Sequence, residues 1–123
     1  MKEFKITIHH FGNGLDFSDV LFGREEFENG THVHLNERVL SDNVKISDAG
    51  GFSRESKFAV QDKYVKINFY ELTDYDMELL ADHLSKSLSS FESVKDLKIG
   101  EKTLVKDKEK ILHALKEFLE THG

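Results

Sequence analysis

Between Lys57 and Leu72 the chain alternates apolar and polar positions. Phe58 and Val60 alternate with Ala59 and Gln61, and Val65, Ile67 and Phe69 alternate with Tyr64, Lys66, Asn68 and Tyr70. Successive strand side chains point to opposite faces, so the pattern predicts a β-hairpin with one buried and one open face. Asp62-Lys63 interrupts the run where a turn belongs, although it is not a favoured turn pair.

The same period recurs upstream. Glu3–His10 reads as a strand with Phe4, Ile6 and Ile8 on one side and Lys5, Thr7 and His9 on the other. Thr31–Leu40 reads as a second, with Val33, Leu35 and Val39 apolar and His32, His34, Asn36 and Arg38 polar. Val44–Ser47 is a short third strand, and Asp48–Ser56, with Gly50-Gly51, is the most loop-like stretch. Gly12-Asn13-Gly14, Asn29-Gly30 and Ser41-Asp42-Asn43 mark turns. Asp16–Phe27 fits either a short helix or a strand: Phe17, Val20, Leu21 and Phe27 suit a helix that Gly23 weakens.

After Leu72 the period lengthens. Met77, Leu80, Ala81, Leu84 and Leu88 recur at helical spacing, and Thr73 with Asp76 resembles a capping box, so a helix is predicted over about 74–90. Val94, Leu97, Ile99 and Leu104 suggest a short hairpin or a strand and loop. Asp107 caps a last helix over about 108–121, with Ile111, Leu112, Leu115, Phe118 and Leu119 as its apolar stripe. Strands early and helices late predict one α+β domain over residues 1–123. The expected form is a two-layer sandwich, a mostly antiparallel sheet with both amphipathic helices on one face.

Composition narrows the class. A chain of 123 residues, 38% hydrophobic, is long enough to bury one modest core. It has no Cys, hence no disulfide framework and no thiolate metal site. Neither a signal-peptide core nor a membrane-length apolar run is present, which leads to the expectation of a soluble, cytoplasmic protein. The net charge of −6 divides evenly: residues 1–72 carry 9 Lys/Arg and 12 Asp/Glu, and residues 73–123 carry 8 and 11. Such a charge disfavours nucleic acid and anionic membrane as partners.

Candidate chemistry falls on two surfaces. The open sheet face is expected to carry Lys5, Thr7, His9, His32, His34, Asn36, Arg38, Lys45, Tyr64, Lys66, Asn68 and Tyr70, a set without a carboxylate. Of these, His9, His32, His34, Asn36, Arg38, Tyr64, Lys66 and Tyr70 are the binding candidates. His-x-His on a strand places both imidazoles on one face, so His9, His32 and His34 give an alternative reading as ligands of zinc or another divalent metal. The second surface is the acidic side of the first long helix, Asp74, Asp76, Glu78 and Asp82. Phosphate-loop and nucleophile-elbow motifs are absent, and no cofactor is implied. No catalytic residue is assigned. The expected function is that of a small acidic regulator, inhibitor or accessory protein that binds another protein, with self-association left open.

Overall fold

The computed structural model describes residues 1–52 and 59–122. In chain order its elements are β1 (Lys2–His10), α1 (Leu15–Phe22), β2 (Arg24–Glu26), β3 (His32–His34), β4 (Glu37–Val39), β5 (Val44–Phe52), β6 (Gln61–Phe69), α2 (Asp74–Ser89), β7 (Val94–Ile99), β8 (Lys102–Leu104) and α3 (Lys108–His122). Among the described residues, one antiparallel sheet runs β4-β5-β6-β1-β7-β8, and β2 and β3 form a separate two-stranded ribbon. The architecture is α+β.

β1 is central, flanked by β6 and β7. Its Ile6 lies between Val65 and Ile99, and its Ile8 between Lys63 and Leu97. Period two puts these side chains on one face, and the helices cover that face. α1 lies against β4 and β5, α3 against β7 and β8, and α2 packs between α1 and α3. Ile6, Ile8, Val44, Ile46, Val65, Ile67 and Phe69 pack there with Leu80, Ala81, Leu84 and Leu88 of α2 and with Ile111 and Leu115 of α3. Burying each large aliphatic side chain contributes roughly 1.5–3 kcal/mol.

Helix ends follow their caps. The Thr73 hydroxyl accepts from the Asp76 amide and the Asp76 carboxylate accepts from the Thr73 amide, so the predicted capping box is present with Asp in place of Glu. Asp107 accepts from the Lys110 amide at the start of α3. Asp16–Phe27 resolves into helix and strand both: α1 ends at Phe22, Gly23 follows at φ +100, and β2 begins at Arg24.

Three expectations change. β6 runs unbroken from Gln61 to Phe69, with no turn at Asp62-Lys63, because both residues pair with Phe52 and Gly51 of β5 on one side and with His9 and Ile8 of β1 on the other. The real hairpin partner of β6 is therefore β5, which continues through Gly50-Gly51 by a bulge between Asp48 and Gly51. The core position expected at Phe58 lies outside the described residues. The expected strand Thr31–Leu40 is two strands in two sheets, because the chain leaves the ribbon after His34 and joins the main sheet only at Glu37. The Asp48 amide donates to the Asn36 carbonyl at 2.7 Å across that transition.

Candidate functional site

The pairing registers lay out the open face as a grid. Tyr64, Thr7, Lys98 and Thr103 stand side by side across β6, β1, β7 and β8. The next row holds Ser47, Lys66 and Lys5, and the row after it Lys45, Asn68 and Glu3. On the other side of Tyr64 and Thr7 lie Asp62, His9 and Asp96. His9 Nδ1 donates to Asp96 Oδ1 at 2.5 Å, and its Nε2 faces Asp62 Oδ1 at 3.7 Å. A shallow recess lined by His9, Ala59, Val60, Asp62 and Lys95 opens beside this cluster.

Lys5 and Lys66 are directly opposite one another, a like-charge pair of the destabilising kind. Lys66 has Glu3 at 3.5 Å. Lys5 and Lys98 form no ion pair among the described residues, and the Lys5 ammonium lies 5.9 Å from the Tyr64 ring centroid. The face thus carries His9, Tyr64 and Lys66 as expected, together with Lys5, Thr7, Lys45 and Asn68. It also carries carboxylates, contrary to expectation: Glu3, Glu37, Asp62 and Asp96. Glu3 stands at the first position of its strand, Glu37 falls among the apolar-side positions of Thr31–Leu40, Asp62 reads as part of a turn, and Asp96 lies in a segment that reads as a hairpin or as a strand and loop.

His32, His34 and Arg38 are not on this face. β3 pairs with β2, so His32 lies opposite Glu26 and His34 opposite Arg24 in the ribbon. The two imidazoles share a side, with ring centroids 5.2 Å apart, and His34 Nδ1 donates to Asp19 Oδ1 of α1 at 2.6 Å. His9 sits in the other sheet, so the expected three-histidine ligand set does not assemble. Among the described residues no group of three or more His, Asp or Glu is placed to hold a metal ion. Arg38 pairs with Ile46 and so takes the helix side, where its charge opposes protonation of His83. Asn36 lies in the crossover between β3 and β4, and Tyr70 stands just past the end of β6.

The crossover creates the feature that sequence patterning missed. Residues 24–39 are all exposed, sixteen in succession, although they include β2, β3 and β4. Val33, Leu35 and Val39, expected in the core, are 50%, 39% and 67% exposed, and Phe27 is 48% exposed. Val39 pairs with Lys45 and therefore lies on the open face. This arm carries Glu25, Glu26, Glu28 and Glu37 against Arg24 and Arg38. Arg24 is engaged by Glu26 and Lys45 by Glu37, whereas Glu25 and Glu28 have no cation among the described residues. The one signal available in the sequence was its acidic run, Glu25, Glu26 and Glu28 around Phe27.

The acidic helix face is partly internal. Asp76 is 2% exposed and accepts hydrogen bonds from Thr73 Oγ1 at 2.7 Å, Ser41 Oγ at 2.8 Å and Asn43 Nδ2 at 3.3 Å. Burial opposes its ionisation, but these bonds together outweigh it and hold the carboxyl below the usual range. Asp76 is thus a structural residue that ties α2 to the Ser41-Asn43 turn. Glu78 and Asp82 are engaged by Lys108 at 3.3 and 3.8 Å, and Asp82 also by Lys86 at 3.0 Å. The Lys86 ammonium, with Lys108 behind it, lowers the Asp82 pKa. Asp74 alone of the four has no such partner among the described residues.

Two further histidines are structural. His10, at the end of β1, is buried edge-on against Phe17 with ring centroids 4.8 Å apart. His83 of α2 donates from Nε2 to the Leu21 carbonyl at 2.9 Å and so anchors the end of α1. Burial pushes both imidazoles below their usual pKa.

Comparison with protein-family models, with curated proteins and with solved structures finds no match for this chain. Among the described residues no helix is long and apolar enough to cross a membrane.

Proposed function

We propose that this chain is a small regulator, inhibitor or accessory protein that works by binding another protein, and that residues 24–39 are its recognition element. The observation that carries the reading is the exposure of that whole segment. A two-stranded ribbon standing alone is marginal in water. Here it projects Phe27, Val33 and Leu35 into solvent beside unpaired carboxylates, and it adds nothing to the core. Exposed aromatic and aliphatic side chains ringed by charge are the anatomy of a protein contact. The carboxylates favour a basic partner surface, and opposite fields speed the encounter. The net charge of −6 supports the same choice and speaks against nucleic acid. A cytoplasmic setting and a single-domain chain go with this reading, and it requires neither a cofactor nor catalysis.

Affinity capture from the producing organism tests it. The wild-type chain is expected to retain a specific protein that the variant Phe27→Ser/Val33→Ser loses while its thermal melt is unchanged. Equal capture by both would overturn the assignment to the arm.

A further inference from the structure

Two surfaces of this molecule are unsatisfied, and they complement each other. On the arm, Glu25 and Glu28 flank Phe27, which is exposed, and neither carboxylate has a cation among the described residues. On the open sheet face, Lys98 stands beside Thr7 in the Tyr64–Thr7 row and Lys5 in the next row, and neither has a carboxylate among the described residues. Two neighbouring cations are engaged within the molecule, Arg24 with Glu26 and Lys66 with Glu3. Placing Lys5 opposite Lys66 costs stability in an isolated sheet. That cost is reduced once a carboxylate is laid on Lys5, the member of the pair that Glu3 does not engage.

We propose that the arm of one copy docks on the open sheet face of a second copy, with Phe27 against Tyr64 and Glu25 and Glu28 against Lys5 and Lys98. A two-fold axis lets both arms dock at once, the commonest arrangement of soluble oligomers. The proposal rests on the reading of the arm as a recognition element and names its partner. Because the contact relies on exposed charges, it weakens as salt is raised.

Sedimentation equilibrium of the whole chain at low ionic strength tests this. The wild type is expected to dimerise, with the dissociation constant rising roughly tenfold between low and high salt. Glu25→Lys/Glu28→Lys and Lys5→Glu/Lys98→Glu are each expected to be monomeric with unchanged circular dichroism. Mixing the two variants is the decisive experiment, because the reversed arm then meets the reversed face and the native arm meets the native face, and dimer must return. A wild type that stays monomeric would overturn the proposal, as would a dimer indifferent to both reversals, the behaviour expected of β4 edge pairing. Failure of the mixture to reassociate would overturn it too. If the chain is monomeric while Glu25→Lys/Glu28→Lys abolishes capture of a different protein, the arm's role in recognition stands and self-docking falls.

Discussion

β1 and the segment from His32 to Val39 carry the same alternation of apolar and polar side chains, and they end in opposite surroundings. Ile6 and Ile8 of β1 are wholly buried, whereas Val33 and Val39 are half exposed or more. Alternation decides which side chains share a face; it does not decide whether anything covers that face. β1 has a strand on each side and three helices above one face. β3 has one neighbour, and β4 is a three-residue edge strand. Burial here comes from the neighbours, so one region builds the fold and the other is left exposed.

The sharpest way to break that contrast is to cut the core. Ile67→Ala, opposite Ile46 and in the centre of the buried face, is expected to cost about 3 kcal/mol, read from urea denaturation. A loss under about 1 kcal/mol would mean that the helices do not close on the sheet as described.

Asp76→Ala comes next, at about 1–2 kcal/mol, because it removes the capping box and leaves the Thr73, Ser41 and Asn43 groups without their acceptor. Its folded pKa lies below the ordinary 3.8. The stabilisation is therefore fully present above that value and is lost as pH falls through the lower folded one. Asp76→Asn should flatten the acid limb of a stability–pH curve below pH 3.8; an unaltered limb would contradict the role given to Asp76.

His10 and His83 act with the same sign at higher pH. Both are held below the ordinary 6.5 by burial. The folded state favours their neutral forms, so stability is present above 6.5 and declines as pH drops below it. Thermal melts between pH 7 and pH 5 are expected to show this decline, and His10→Gln/His83→Gln to reduce it. If the double variant keeps the full slope, protonation of other groups is responsible.

Much of this fold was legible in the chain, and particular residues show why. Ile6, Ile8, Val65 and Ile67 alternate without interruption, and Leu80, Leu84 and Leu88 keep one helical stripe, so local periodicity was sufficient. The capping box at Thr73 was equally local. What escaped depends on distant partners. Asp62-Lys63 looks like a turn until Gly51 and Ile8 are known to flank Lys63. His9 and Asp96 meet across β1 and β7, 87 positions apart. Asp76 reads as a surface acid until Ser41 and Asn43 are folded back onto it. The arm is not legible in the sequence because nothing within His32–Val39 announces a change of sheet at Leu35 and Asn36.

The smallest expected effect belongs to the arm. Val33→Ser should shift stability by no more than about 0.5 kcal/mol, since its side chain is half in water already. A cost above about 2 kcal/mol would place Val33 in a packed core and dissolve the distinction between the two regions.

The most direct test puts a photo-crosslinking side chain at Val33 and, separately, at Lys110 on the exposed side of α3. Irradiation in cells of the producing organism is expected to join the Val33 position to a defined partner chain, a second copy or another protein, and the Lys110 position to none in particular. Crosslinking at Lys110 with none at Val33 would contradict the claim that residues 24–39 are the recognition surface.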